Sequence, residues 1–161
     1  MMIQTGITKV AAFTGHRFIR YQDRQRLKIE LERAITVCYD LGIRHFLCGM
    51  ALGFDMLAAE TLLAMKAQHP DIRLTAVIPF RGQSGKFSPA DKERYQSILG
   101  KADNVVCLSE TYFDGCFLRR NDYMLNRASH IIAYYNGEPK GGTFYTCRRA
   151  ERMGLEITNL Y

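Results

Sequence analysis

The chain has 161 residues, a net charge of +6 and a hydrophobic content of 47%, which fit one globular domain, 1–161, with a core of its own. No apolar run approaches the ~20 residues of a membrane-spanning helix, and residues 1–5 lack the basic stretch and apolar core of a signal peptide. We therefore expect a cytoplasmic protein that has no membrane partner.

Short apolar runs alternate with helical patterns from one end of the chain to the other. Leu27, Leu31, Ala34 and Cys38 recur at three- and four-residue steps, as on the buried face of a helix, and Gly42 ends that pattern. In chain order, we predict a strand over 9–13, a helix over 23–41, a strand over 44–48, a helix over 54–68, a strand over 72–79, a loop over 80–88, a helix over 89–99, a strand over 104–108, a loop over 109–118, a helix over 119–128, a strand over 130–135, a helix over 143–153 and a candidate sixth strand over 156–160.

The predicted strands are apolar through their length, which is typical of a parallel sheet covered by helices on both faces. The sequence therefore predicts an α/β fold, a three-layer sandwich with a mostly parallel sheet of five to six strands. In open sheets of this kind, ligands bind at the carboxyl ends of the strands. Three glycine-bearing turns follow predicted strands, so all three should lie at that edge.

The first turn combines a glycine with two groups that suit an anion. Gly15 permits the bend after the first strand, and His16 and Arg17 follow at once. Arginine is a permanently charged fork that suits phosphate, and histidine can donate to the same group or act as an acid or base. The alternative is a surface arginine beside a histidine that caps the turn.

The third turn places Gly141, Gly142 and Thr143 at the start of the last predicted helix. Free N–H groups at a helix start bind phosphate readily. Thr143 could instead serve as the N-cap of the helix, and the two roles are compatible.

The second turn is bracketed by Gly49 and Gly53, with Asp55 directly after it. It is neither a P-loop nor a GxGxxG fingerprint, because the lysine of the first and the spacing of the second are missing. Asp55 could cap the following helix, accept a ribose hydroxyl or orient a basic group. Glu60 lies about 140° further around that helix, so it is a weaker candidate for the same pocket.

Further polar and aromatic candidates flank these turns. Phe80 follows the third strand and could stack on a base, and Arg120 and Asn121 open the fourth helix. The five cysteines form no C-x-x-C pair and the four histidines are scattered, so zinc sites lack their ligand spacing. We expect no metal.

In their order, these pieces resemble the YpsA family of the SLOG superfamily. The matching segments are FTGHR at 13–17, GMALGFD at 49–55, IPF at 78–80, RNDYM at 120–124 and GGT at 141–143. The resemblance implies a Rossmann-like fold and a site for a nucleotide or nucleotide-derived ligand built from these turns. SLOG relatives include DprA, which binds single-stranded DNA, and the LOG enzymes, which cleave the base from nucleoside 5′-monophosphates. The YpsA group is linked to bacterial cell division and stress.

The chain departs from the LOG pattern after the third turn. LOG enzymes carry a glutamate soon after their glycine-threonine turn, whereas here no carboxylate follows until Glu151, which leaves Asp55 or Glu60 as the catalytic candidates. We therefore expect a small nucleotide to be bound or sensed rather than nucleic acid. Hydrolysis of an N-glycosidic bond is the alternative, and DprA-like binding of single strands is a second one. No cofactor beyond the nucleotide is expected, and a protein partner or a LOG-like homodimer stays open.

Overall fold

Strands and helices alternate along the chain in a computed structural model that describes residues 8–161. The expectation that residues 1–5 hold no signal peptide lies outside the described residues. The elements are β1 (Val10–Gly15), α1 (Arg24–Asp40), β2 (His45–Cys48), α2 (Phe54–Met65), β3 (Arg73–Ile78), α3 (Pro89–Lys101), β4 (Asn104–Cys107), α4 (Cys116–Leu125), β5 (His130–Tyr134), α5 (Gly141–Arg152) and β6 (Glu156–Asn159), with a 3₁₀ turn at Tyr21–Asp23. None of these helices is long and apolar enough to span a membrane.

The strands form one sheet in the order β4-β3-β2-β1-β5-β6, and every neighbouring pair is parallel. The chain runs outward from β1 to β4, then returns to the other side of β1 with β5. This reversal makes a topological switch point between β1 and β5, where the carboxyl ends of the strands leave a crevice for a ligand. The predicted α/β fold is confirmed.

Helices cover both faces of the sheet because successive side chains of a strand point to opposite sides. Along β1, Ala11 and Phe13 belong to one buried core with residues of α1, α2 and α3. Ala12, between them, belongs to a second core with residues of α4 and α5. The result is the predicted three-layer sandwich, and its ligand edge is formed by the turns that leave the strands.

Two helices begin earlier than the sequence pattern predicts. Helix α4 begins at Cys116 rather than at 119, directly after Gly115, whose φ of 89° requires glycine. Helix α5 begins at Gly141 rather than at 143, so the third glycine pair forms its first turn. Lys140 is the N-cap of α5, and the expectation that Thr143 caps it is wrong. Glycine is a poor helix former, which is why the pattern places these residues in a turn.

Candidate ligand-binding site

The three glycine turns meet around one cavity at the carboxyl edge of the sheet, beside the switch point between β1 and β5. The cavity has a volume of about 270 Å³, and we call it the turn cavity. The residues predicted from the sequence that line it are Gly15, His16, Arg17, Asp55, Arg120, Asn121, Gly141, Gly142 and Thr143. The structure therefore brings together residues that lie up to 128 positions apart in the chain.

The first turn holds His16 in a fixed orientation. Its backbone N–H donates to the Tyr134 carbonyl at 3.1 Å, and its carbonyl accepts from the Phe54 N–H at 3.1 Å. Its ring Nε2 accepts from the Asn136 N–H at 2.9 Å, so the neutral ring carries its proton on Nδ1. The ring is thereby tied to the segment after β5, with Nδ1–H as its donor.

Two glycines let the main chain of the first turn pass close to α2. A Cβ at Gly15 would lie 2.5 Å from ring carbons of Phe54. Gly53 has a φ of 79°, and a Cβ there would collide with the carbonyl of Arg17. Gly53 does not line the turn cavity. It fixes the main chain that carries Arg17, whose guanidinium lies 5.0 Å from the centre of the Phe117 ring.

Asp55 is a buried carboxylate at the second turn, and it is only 5% exposed. Its Oδ2 accepts from the Ala51 N–H at 3.2 Å, and Oδ1 has no hydrogen-bond partner within the described residues. Burial raises the pKa of this carboxyl to about 6, although Arg120, the Ala51 N–H and Arg17 favour its ionised form. Of the roles left open for Asp55, helix capping is wrong, because the carboxylate accepts from the Ala51 N–H, which precedes α2, and Gly53 is the N-cap.

Arg120 is a buried cation in the wall of the turn cavity, and it is 4% exposed. Its Nε donates to Asn121 Oδ1 at 2.7 Å, and its Nη1 donates to the Gly49 carbonyl. Burial lowers the pKa of Arg120, and the Asp55 carboxylate opposes that shift. A Cβ at Gly49 would lie 2.6 Å from Arg120 Nη1. Gly49 does not line the turn cavity. Its carbonyl accepts from Arg120, and its lack of a side chain leaves room for the guanidinium.

The first residues of α5 supply backbone donors to the turn cavity. The first N–H groups of a helix have no partner within it, and no side-chain hydrogen bond caps this helix start. Gly142 leaves room on that side, since a Cβ there would come no closer than 3.8 Å to Asn121 Nδ2. These groups and the helix dipole favour an anion at this position.

A second, more apolar cavity of about 700 Å³ adjoins the first, and we call it the aromatic cavity. Phe80, predicted as a stacking residue, lines it together with Tyr112 and Phe117. The three rings pack edge to face or tilted, with Phe80 5.5 Å from Tyr112 and 6.1 Å from Phe117 between ring centres. The two cavities share Arg17, Ala51 and Phe117.

Tyr112 and Phe117 are not singled out by the sequence. Both fall in the segment predicted as a loop over 109–118, and Phe117 in fact belongs to α4. The available signal is a run of aromatic residues directly after β4, whose carboxyl end lies at the ligand edge.

Glu60, the second catalytic candidate, lies outside both cavities. Its carboxylate pairs with the Arg94 guanidinium in a groove between α2 and α3. Asp55 is consequently the one carboxylate that lines the two cavities within the described part of the chain. In residues 8–161, no three His, Cys, Asp or Glu side chains are grouped as a metal site requires.

The fold is that of a Rossmann-like protein, and comparison with known proteins gives the family. Residues 13–158 match the model of the YpsA family, described as the YspA SLOG family. The match spans most of the chain, so the chain belongs to this family. The family expected from the ordered motifs is confirmed.

Two UPF0398 proteins are similar to this chain over most of its length. UPF0398 protein RBAM_020340 of Bacillus velezensis is 28% identical over 89% of this chain and 84% of the relative. UPF0398 protein BH1768 of Halalkalibacterium halodurans is 28% identical over 86% of this chain and 71% of the relative.

Two solved structures share the fold at low sequence identity. DNA processing protein A from Helicobacter pylori, described for its single-stranded DNA binding mode, has a TM-score of 0.63 at 18% identity, over 95% of this chain and 65% of its own. The structural-genomics target TM1055 has a TM-score of 0.54 at 14% identity, over 92% of this chain and 72% of its own.

Proposed function

We propose that this protein binds a nucleotide or a nucleotide-derived ligand, with a phosphate in the turn cavity and the base in the aromatic cavity. The observation that carries the proposal is that the two cavities meet at Arg17, Ala51 and Phe117. One cavity offers donors and positive charge, and the other offers aromatic rings. A nucleotide joins an anion and a planar ring system in one molecule, with a sugar between them.

The charge of the turn cavity supports the phosphate assignment. Arg17, Arg120 and Lys140 line it against the single carboxylate of Asp55, so its lining carries a formal charge of +2 with His16 neutral, although Lys140 also pairs with Glu138 outside the lining at 3.4 Å. A phosphomonoester carries about −1.5 to −2 at neutral pH, which would nearly neutralise the lining. The N–H groups at the start of α5 add donors that suit phosphate oxygens.

The aromatic cavity supports the base assignment. Stacking of a base on an aromatic side chain is worth about 1–3 kcal/mol, and Phe80, Tyr112 and Phe117 all border this space. Gln83 also lines it, but its amide is occupied by the Gly49 carbonyl at 3.0 Å and by the Tyr95 hydroxyl at 2.9 Å. We therefore expect the cavity to hold the base by shape and by stacking on the aromatic rings rather than by hydrogen bonds to the edge of the base.

Hydrolysis of an N-glycosidic bond is the second candidate function. It is favoured by Asp55, because a buried carboxyl with a pKa of about 6 suits acid–base catalysis near neutral pH. Glycoside hydrolysis ordinarily uses two carboxylates, and Glu60 lines neither cavity and is paired with Arg94 instead. Binding without turnover is therefore the preferred function. Release of free base from a nucleoside 5′-monophosphate, lost in Asp55→Asn, would establish the hydrolase instead.

The test is titration calorimetry with nucleoside mono-, di- and triphosphates, NAD, ADP-ribose and cyclic dinucleotides, beside nucleosides and inorganic phosphate. We expect saturable binding of at least one nucleotide and weak binding of the corresponding nucleoside. Arg17→Ala should weaken it by about 10- to 100-fold, since a hydrogen bond to a charged group is worth about 1.5–3 kcal/mol. Arg33→Ala, which removes a largely exposed arginine of α1, is the matched control. Absence of binding across the panel by the folded protein would refute the proposal.

A further inference from the structure

The turn cavity contains a buried acceptor that the protein leaves open. Asp55 is only 5% exposed and lines this cavity, and its Oδ1 has no partner within the described residues. Buried side-chain oxygens are nearly always hydrogen-bonded. Oδ1 therefore offers a free acceptor to a molecule that fills the cavity.

The position of Asp55 restricts which part of a ligand can reach it. Its other oxygen, Oδ2, is bonded to the N–H of Ala51, and Ala51 borders both the turn cavity and the aromatic cavity. The open acceptor accordingly lies beside the junction of the two cavities. In a nucleotide that spans them, the sugar occupies this junction.

The chemistry of the other two parts of a nucleotide excludes them as donors to Asp55. A phosphate next to the carboxylate would place two negative charges in contact, which is unfavourable. The amino groups of a base would lie in the aromatic cavity, to whose described lining Asp55 does not belong. Sugar hydroxyls are neutral donors that lie between the phosphate and the base.

We propose that Asp55 accepts a hydrogen bond from a ribose hydroxyl and makes the site selective for ribonucleotides over deoxyribonucleotides. This inference rests on the proposed function and adds the class of sugar. A carboxyl with a pKa of about 6 is mostly ionised at pH 7, so it acts as an acceptor only and forms a charge-assisted bond with the hydroxyl.

The experiment compares matched nucleotides by titration calorimetry at pH 7. The probes are AMP and GMP with their 2′-deoxy and 3′-deoxy counterparts. We expect the wild-type protein to bind at least one ribonucleotide about tenfold or more tightly than its 2′-deoxy or its 3′-deoxy form. In Asp55→Asn, the Ala51 N–H retains the amide oxygen and the NH₂ group faces the ligand. Ribonucleotide binding should weaken by a similar factor and the preference should fall below about threefold.

Two further variants make the result specific. Asp55→Ala removes the acceptor altogether and should also abolish the preference, with folding checked by thermal melting. Glu60→Gln neutralises the other carboxylate of α2, which lies outside both cavities, and should leave affinities and preference unchanged.

The outcomes separate this inference from the proposed function. Equal affinity for ribo- and deoxyribonucleotides in the wild-type protein would overturn the role of Asp55 and leave nucleotide binding standing. A preference that survives in both Asp55→Asn and Asp55→Ala would overturn it as well. If neither AMP nor GMP binds, this inference fails, and if no nucleotide of the wider panel binds, the proposed function fails with it.

Discussion

Asp55 should make the stability of the ligand-free protein depend on pH. Its carboxyl is buried without a full set of partners, and its pKa rises from 3.8 to about 6 on folding. A carboxyl whose folded pKa is raised binds its proton more tightly in the folded state. Its contribution is therefore fully present below pH 3.8 and is lost as pH rises through 6. The difference in pKa corresponds to about 3 kcal/mol of lost stability at pH 7, of which about 1 kcal/mol is lost between pH 5 and pH 7.

The assay compares urea unfolding of the wild-type protein and Asp55→Asn, both without ligand, at pH 5 and pH 7. The amide does not titrate, so the stability of the wild type relative to the variant should fall by about 1 kcal/mol as pH rises over this interval. The comparison cancels all other titrating groups and also the fixed cost of burying an amide. A relative stability that stays constant, or rises with pH, would refute the assignment of Asp55 as a carboxyl with a raised pKa.

Two further predictions concern the neighbourhood of the site. Gly49→Ala should destabilise the fold by about 1–3 kcal/mol in urea unfolding, because its Cβ would lie 2.6 Å from Arg120 Nη1. As a control, the Cβ of Gly100→Ala in α3 would meet no atom within 4 Å, and this variant should stabilise the fold by about 0.5–1 kcal/mol. Equal changes in the free energy of unfolding for the two variants would contradict the close contact at Gly49. Iodoacetamide should label the half-buried Cys107 before the other four, which are buried. Burial raises the pKa of the Cys48 thiol, and early labelling there, read by peptide mass, would contradict the structure.

The sequence predicts the layers of the fold because its signals are local. The apolar run of each strand and the 3.6-residue pattern of α1 depend on neighbours a few positions away. The carboxyl edge of a parallel sheet then follows from topology, so the sequence alone assigns the turns at Gly15 and Gly142 to one site. The sheet order, which the sequence does not predict, supplies the switch point that brings these two turns together.

The parts of the site that the sequence does not predict depend on contacts between distant segments. The role of Gly49 becomes visible only when Arg120, 71 positions away, is seen to bond its carbonyl. Tyr112 and Phe117 become part of a cavity only because the segment after β4 folds back to Phe80. Glu60 is likewise excluded as a pocket residue only by a distant contact, because its partner Arg94 comes from α3.

The distribution of unfavourable local features supports the proposal that the turn cavity, although small, is the ligand site. Met50 is fully buried with a φ of 62°, a backbone conformation that residues other than glycine rarely adopt. Asp55 and Arg120 are buried charges that form no direct ion pair with each other. Features of this kind persist where function requires them. By contrast, the groove between α2 and α3 is larger, about 620 Å³, yet there Arg94 is paired with Glu60 and with a second carboxylate. Arg94 is thereby neutralised in that groove, whereas in the turn cavity Asp55 Oδ1 stays open and neither Arg17 nor Arg120 forms an ion pair within the described residues.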